Sequence, residues 1–194
     1  MKKLITIIGA FVLFVGWYGP HLYGIGGGGG VTACTGTAGT QIGDTRYNVG
    51  STEFAYLMEV DVSAGCQADT GDEICAGIDD WSGTYIFYLM VYDSDGGSGE
   101  PGTRLDYVQA SGSGSTMTQV CENLTQSITF NNSTAWVGFL YDGPSTTPGY
   151  NAATTTGVER RYIDSPGSTP PATWNAAGDT HNTTRDIDAY ITFN

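Results

Sequence analysis

Positive charge is the scarcest property of this chain. Seven lysines and arginines face 20 aspartates and glutamates, the formal net charge is -13, and the only two lysines are Lys2 and Lys3. A surface of this sign repels phosphate backbones and anionic lipid headgroups. We therefore expect no nucleic-acid partner, and membrane contact only through the N-terminal leader. Cations and neutral sugars stay open as ligands.

Strong helix formers are also in short supply. Charged residues make up only 14% of the chain, whereas glycine occurs 29 times and serine and threonine are abundant. Glycine and β-branched residues are poor helix formers, and β-branched residues favour strands. The composition predicts an all-β protein, and 194 residues leave room for one domain of ordinary size beside a leader.

The sequence offers little for catalysis. Its two histidines, His21 and His181, have no nucleophile motif beside them. A glycoside hydrolase needs two carboxylates that face each other about 5–10 Å apart. Four glutamates are available for such a pair, although no flanking pattern fixes a cleft: Glu53, Glu59, Glu122 and Glu159. We expect a non-catalytic protein.

The N-terminus has the pattern of an export leader. Lys2 and Lys3 precede the apolar run Leu4–Tyr18, as in the basic and hydrophobic regions of a signal peptide. The run is short for a membrane span, which needs ~20 apolar residues. We expect the protein to be secreted, anchored at a cell surface or part of a virion.

Three domain segments follow from this leader. Residues 1–24 are predicted as a hydrophobic helix that is either a signal peptide or a signal-anchor, residues 25–40 as a glycine-rich linker, and residues 41–194 as the folded domain. A third interpretation of the leader is lipidation of Cys34. The glycines between the apolar run and Cys34 disfavour lipidation.

The clearest strand pattern lies at Thr84–Val108, where two apolar runs flank a turn rich in glycine, aspartate and proline. The first run is apolar on both faces, which predicts a central strand with one side in the core and the other covered by a loop or partner. Further strands are predicted at Phe54–Val62, Gln126–Phe130, Thr134–Tyr141, Val158–Ile163 and Asp186–Phe193. Short strands with this spacing predict a two-sheet antiparallel β-sandwich.

Four cysteines in an exported chain indicate disulfides. Cys66 and Cys75 enclose a short polar segment, which suits a stapled loop between strands. Of the three possible connectivities, we therefore expect Cys66–Cys75 together with Cys34–Cys121. A zinc site is not expected, because the chain has no C-x-x-C motif and no histidine cluster.

Four segments carry a resemblance to a known kind of module: IFYLMVYDSDGGSGEPGTRL, STAWVGFLYDG, RRYIDSPGSTPPATW and RDIDAYITF. Together they resemble the jelly-roll-type β-sandwich modules of secreted bacterial surface proteins and of phage tail-fibre or virion proteins. The resemblance covers roughly residues 50–194. It implies an accessory, adhesive or structural role, and it assigns no catalytic or binding residue.

The turn after the first hairpin strand is a candidate calcium site. Asp93, Asp95 and Glu100 place three carboxylates within one short segment, and calcium takes six to eight oxygen ligands. The spacing is not that of an EF-hand. Aspartate and glycine are also the residues that a hairpin turn needs without any ion.

Aromatic side chains are the candidate ligand contacts. Flat exposed rings stack on sugar faces, and Trp81 and Trp174 lie in predicted loops, with Tyr150 and Tyr162 as further candidates. Trp136 lies in a predicted strand and is expected in the core. A loop tryptophan can equally well plug the end of a sandwich.

Three functions are consistent with these patterns. The leading hypothesis is an extracellular β-sandwich that acts in adhesion or recognition, with glycans or a cell-surface protein as partner. The second is a structural subunit of a fibre, filament or virion appendage, in which the apolar hairpin strand packs against another copy. The third is a glycoside hydrolase on the same scaffold.

Overall fold

The computed structural model describes ten segments of the chain, which are residues 31–40, 46–48, 53–79, 86–110, 118–142, 149–153, 160–164, 169–175, 178–182 and 186–194. Val31–Asn194 forms one compact unit. The predicted leader lies outside the described residues, as does Trp81.

Strands dominate the described residues, and the predicted all-β class is confirmed. In chain order the strands are β1 (Thr32–Ala33), β2 (Gly36–Thr40), β3 (Arg46–Asn48), β4 (Glu53–Asp61), β5 (Cys66–Ala68), β6 (Glu73–Asp79), β7 (Ile86–Asp93), β8 (Arg104–Gln109), β9 (Thr118–Asn123), β10 (Ile128–Thr129), β11 (Thr134–Asp142), β12 (Gly149–Ala153), β13 (Arg160–Asp164), β14 (Thr180–Asn182), β15 (Asp186–Ile187) and β16 (Ala189–Phe193). One 3-10 turn, Gly97–Gly99, lies between β7 and β8. Across these segments, no helix combines the length and the hydrophobicity that a membrane crossing requires.

The strands form two large sheets and one small sheet. The six-stranded sheet has the order β14-β13-β4-β11-β7-β8. The seven-stranded sheet has the order β15-β12-β6-β16-β2, with β3 paired to β12 and β9 paired to β6. The small sheet is β1-β5-β10, and it contains the parallel pair β1–β5, whereas the pairs in the large sheets are antiparallel.

The main core joins the two large sheets. Because side chains alternate along a strand, every second residue of the central strands points to one face, which we call the inner face of the six-stranded sheet. These inner residues belong to one buried cluster together with side chains of the seven-stranded sheet; it includes Phe54, Tyr56, Met58, Phe87, Leu89, Val91, Val137, Phe139, Tyr141, Ile74, Ala76, Ile78, Ala189 and Ile191. Burial of this cluster is therefore the main force that holds the two sheets together.

The opposite side of the six-stranded sheet, its outer face, is also buried. A second cluster there contains Ala55, Leu57, Met90, Tyr92, Trp136, Leu140 and Trp174. The segment 169–175 lies along β8, where the backbone N–H of Arg104 donates to the Ala172 carbonyl at 3.0 Å. The expectation that β7 is a central strand with one side covered by a loop is thus confirmed.

On the outer face, the backbones of β11 and β4 approach each other closely at one position. Gly138 lies in β11 beside β4, and a Cβ atom at this position would stand 1.9 Å from the Tyr56 carbonyl oxygen. No other residue type fits there without moving the two strands apart. The glycine in the predicted strand TAWVGFLY therefore serves the pairing of the two longest strands of the sheet.

Most strands predicted from alternation are present. The hairpin within Thr84–Val108 is formed by β7 and β8, and β4, β11, β13 and β16 also lie at predicted positions. The structure adds β6, within the segment predicted as a stapled loop, and β9, β12 and β14, within segments predicted as connections. These added strands are short or rich in small and polar residues, so they lack the alternating apolar pattern that reveals a strand in a sequence.

The predicted disulfide connectivity is wrong. The structure contains the disulfides Cys34–Cys66 and Cys75–Cys121, with S–S distances of 2.02 and 1.98 Å. Cys75 on β6 lies directly opposite Cys121 on β9, with their Cα atoms 4.1 Å apart. Strand pairing, rather than separation along the chain, therefore decides the partners. Two disulfides indicate folding in an oxidising environment.

The folded unit begins earlier than residue 41. Residues 31–40, which the sequence assigned to the linker 25–40, contain β1 and β2. β2 pairs with β16 along its whole length, and the backbone N–H of Cys34 donates to the Gln67 carbonyl at 2.9 Å. The second half of the predicted linker is therefore part of the sheets.

Candidate functional site

Trp174, predicted as a loop ring for ligand stacking, is a packing residue instead. Only 4% of its surface is exposed. Its ring meets Tyr92 edge-on with centroids 5.6 Å apart, and its Nε1–H donates to Asp179 Oδ2 at 2.8 Å. The indole closes the outer face of the six-stranded sheet and leaves no ring surface for a sugar.

The other predicted aromatic contacts have different outcomes. Trp81 lies outside the described residues, and Tyr150 and Tyr162 lie on β12 and β13 with side chains that the structure does not describe. Trp136 is fully buried, and its Nε1–H donates to the Gly99 carbonyl at 3.0 Å, which confirms its predicted place in the core.

The outer face does not offer the surface on which self-association was predicted. The apolar side of β7 is covered by residues of the same chain, since the Tyr92 hydroxyl donates to the Pro171 carbonyl at 2.7 Å. Among the described residues, only Val31 and Ile86 are exposed large hydrophobic side chains. The feature that suggested a fibre subunit is therefore used within the fold.

In the acidic turn, Asp93 is a buried structural acceptor. It is 1% exposed, and its carboxylate accepts hydrogen bonds from Asn131 Nδ2 at 2.9 Å and Asn132 Nδ2 at 3.0 Å. The backbone N–H of Ser94 donates to the same carboxylate at 2.9 Å. These bonds tie the end of β7 to the segment that precedes β11.

Asp95 closes the turn from the exposed side. Its carboxylate accepts hydrogen bonds from the Thr103 backbone N–H at 2.5 Å and the Thr103 hydroxyl at 2.6 Å. Partial burial acts to raise the pKa of Asp95, but these bonds outweigh it and hold the pKa below its usual value. Glu100, the third predicted ligand, is half-buried in the same turn. The contacts of Asp93 and Asp95 favour turn formation over calcium coordination as the role of these carboxylates.

Other acidic groups also serve the fold. Asp106 is buried, and it accepts a hydrogen bond from the Thr125 backbone N–H at 2.6 Å. Asp72 is buried as well, and it accepts bonds from the backbone N–H groups of Asp69 at 2.8 Å and Asn194 at 2.7 Å. Each of these carboxylates thereby fixes a connection to a neighbouring strand.

Two further sets of side chains bear on metal binding and catalysis. Glu73, Cys75 and Cys121 place potential metal-ligand atoms within 4.8 Å of one another, but the two cysteines form a disulfide and offer no thiolate. Glu59 lies on β4 and Glu122 on β9, in different sheets. No flanking sequence pattern pairs these two glutamates, and their strands are not neighbours in a sheet.

One polar cleft lies next to the Cys34–Cys66 disulfide. It has a volume of about 220 Å³ and is lined by Cys34, Thr35, Thr37, Ala38, Asp61, Val62, Ser63, Cys66 and Phe193. Its walls come from the start of β2, the C-terminal ends of β4 and β16, and the turn between β4 and β5. We call it the disulfide cleft.

Backbone bonds hold the walls of the disulfide cleft in place. The turn that follows β4 contains Gly65 at φ 78°, and its N–H donates to the Phe130 carbonyl at 2.6 Å. The N–H of Val62 donates to the Ser133 carbonyl at 3.0 Å. These bonds and the adjacent disulfide lie within the fold, so the cleft needs no ligand to form.

Sequence reasoning missed this cleft because its residues are far apart along the chain. Thr35 lies in the predicted linker, Asp61 lies within a predicted strand, and Phe193 lies near the C-terminus. The pairing of Phe193 with Gly36 brings the last region to the first, and the Cys34–Cys66 disulfide brings in the turn that follows Asp61. No local motif signals such a site.

No protein-family model, no curated protein and no solved structure matches this chain. Fold and site together define only a class, which is a mainly β protein with two disulfides, antiparallel sheets and a small polar cleft.

Proposed function

We propose that this protein is an extracellular, non-catalytic β-sandwich of jelly-roll type that acts in adhesion or surface recognition. Its partner is a glycan or a glycan-bearing surface protein, and its loops carry the contact. The arrangement of two large sheets around one shared core supports the sandwich architecture. The two disulfides and the export pattern of the leader support an extracellular location.

The observation that carries this proposal is the use of buried polar side chains to fix loops. Asp72, Asp93 and Asp106 are buried, and each accepts hydrogen bonds from connections between strands. Trp174 fixes the segment 169–175 as a donor: its Nε1–H donates to Asp179, and its backbone N–H donates to the Gly102 carbonyl. A rigid sheet scaffold with ordered loops is suited to recognition, because binding then costs little loop entropy.

Charge supports the choice of partner class. At a formal net charge of -13, the protein is repelled by anionic polymers and lipid headgroups, whereas neutral glycans meet no such barrier. Glycan recognition rests mainly on hydrogen bonds and ring stacking, which need no positive charge.

A glycan array probed with the fluorescently labelled full chain tests the proposal. We expect selective binding to a set of related neutral glycans, and binding to cells that display them. Trp81→Ala tests the remaining tryptophan among the predicted contacts, and Ile86→Ala, at an exposed position, is the matched surface control. Absence of binding to every glycan and to every cell surface tested would contradict the proposal.

A further inference from the structure

We propose that the disulfide cleft binds one neutral sugar ring, as the terminal unit of a recognised glycan. This inference rests on the proposed function of surface recognition, and it adds the site and the size of the recognised unit. The predicted aromatic platform is not its basis, since Trp174 is buried. The chemistry, the rigidity and the volume of the cleft support the binding of a sugar.

The side chains that line the cleft match the groups of a sugar. Thr35, Thr37 and Ser63 are exposed hydroxyl residues, and each hydroxyl both donates and accepts hydrogen bonds. Asp61 is an exposed carboxylate that accepts only, and an ionised acceptor forms stronger bonds with sugar hydroxyls than a neutral one does. A carboxylate also disfavours anionic sugars, so the charge of the cleft selects neutral ones.

One aromatic residue, Phe193, also lines the cleft. Phe193 is half-buried, and its ring meets Phe130 edge-on with centroids 6.1 Å apart, which fixes its orientation. The C–H groups on one face of a sugar ring are apolar, and aromatic rings bind such faces. Hydroxyl groups and an aromatic residue that line the same cleft are therefore a combination that a hexose satisfies and a simple cation does not.

The volume favours a small ligand. Drug-sized ligands occupy clefts of about 300–1,000 Å³, and this cleft has about 220 Å³. A single six-membered sugar is smaller than such ligands, so a cleft of this size suits one ring. Longer glycans would extend from the cleft over the surrounding surface.

Nuclear magnetic resonance on the full chain tests the inference directly. The ¹⁵N-labelled protein is titrated with glucose, galactose, mannose and N-acetylglucosamine, each up to high millimolar concentration. We expect saturable amide shifts for at least one sugar, confined to residues 34–38, 61–63, 66 and 193. Calcium chloride serves as a separate titration, because shifts of the cleft with calcium alone would identify a cation site and overturn the inference.

Two variants with the same change of charge sharpen the test. Asp61→Asn replaces the ionised acceptor of the cleft, and we expect the dissociation constant to rise at least tenfold. Asp142→Asn is the matched control, since Asp142 lies at the opposite end of the β4–β11 pair, and it should leave the dissociation constant unchanged. Equal binding by Asp61→Asn and the unchanged protein would overturn the inference.

The outcomes separate this inference from the proposed function. Glycan binding on the array with no sugar-dependent shifts in the cleft would overturn the cleft as the site and leave surface recognition standing. Shifts that saturate at another group of residues would do the same. Absence of binding in both experiments would overturn both.

Discussion

The two faces of the six-stranded sheet are both buried, but they are closed by different chemistry. The inner face packs against the other large sheet through aliphatic and aromatic side chains such as Phe139 and Val137. The outer face is covered by a loop and a turn, and its aromatic residues hydrogen-bond to backbone carbonyls. Tyr92 donates to the Pro171 carbonyl at 2.7 Å, and Trp136 donates to the Gly99 carbonyl at 3.0 Å.

The sheet that covers the inner face and the loop that covers the outer face have different chemical requirements. A sheet that packs on a sheet satisfies its own backbone groups, so hydrophobic volume is enough to close the inner face. A loop brings carbonyl groups that need donors, and the indole and phenol groups supply them while they fill space. The inner face should therefore respond mainly to lost volume, and the outer face to lost volume and lost donors.

The largest effect is expected on the inner face. Phe139 is fully buried between the sheets, and Phe139→Ala leaves a cavity that should lower the free energy of unfolding by about 4 kcal/mol. Urea unfolding monitored by tryptophan fluorescence measures it. Ile86→Ala, at the exposed start of β7, is the control and should change stability by less than about 0.5 kcal/mol. A loss below about 1 kcal/mol for Phe139→Ala would show that the sheets do not share a core.

A somewhat smaller effect is expected when the outer face is opened. Trp174→Ala removes a buried indole and its bond to Asp179, which should cost about 3 kcal/mol. Because the indole anchors a loop, amide hydrogen exchange should become faster in 169–175 and at Arg104, whose N–H donates to the Ala172 carbonyl. For Phe139→Ala we expect global loss of stability without this local acceleration. Identical exchange patterns for the two variants would remove the distinction between the faces.

The end of the hairpin strand responds to lost acceptors. Asp93→Ala leaves the side-chain amides of Asn131 and Asn132 without their acceptor in a partly buried site, and we expect a loss of about 2 kcal/mol in urea unfolding. Asp93→Asn keeps the shape but offers one acceptor oxygen instead of two, so its loss should be intermediate. An Asp93→Asn variant as stable as the unchanged protein would contradict the assigned role of the carboxylate.

The outer face also has a pH signature. Burial raises the pKa of the Tyr92 phenol, and the nearby Arg104 offsets this only in part. A raised folded-state pKa means that this stability is present below about pH 10, the unfolded value, and is lost as the pH rises above it. Tyr92→Phe loses one hydrogen bond, about 1 kcal/mol at pH 7, and it should weaken the alkaline decline in melting temperature. An unchanged alkaline decline in melting temperature would show that a group other than Tyr92 causes it.

The parts that the sequence predicted are those with local patterns. Alternating apolar residues revealed β4 and β16, continuous apolar runs revealed β7 and β11, and the Asp- and Gly-rich segment after Asp93 revealed the hairpin turn. The disulfides depend on which strands become neighbours. Strand β6 was not predicted, because Cys75 was assigned to the end of a stapled loop. The disulfide cleft combines Thr35, Asp61 and Phe193, which only sheet pairing brings together. Long-range pairing has no signature in a single sequence, so the cleft was not predictable from it.

The smallest effect is expected at Asp95, where the turn that covers part of the outer face meets solvent. Its folded-state pKa is lowered, so its contribution is present above about pH 4, the unfolded value, and is lost as the pH falls through the lower folded value. The bonds from Thr103 are largely exposed, which limits the contribution to about 0.5 kcal/mol. Asp95→Asn should therefore lower stability slightly at pH 7, and the difference should disappear as the pH falls through the lowered folded-state pKa. A difference in stability between Asp95→Asn and the unchanged protein that persisted in acid would show that the carboxylate stabilises the turn by shape and not by charge. The outer face would then be closed by packing to a greater extent than its hydrogen bonds indicate.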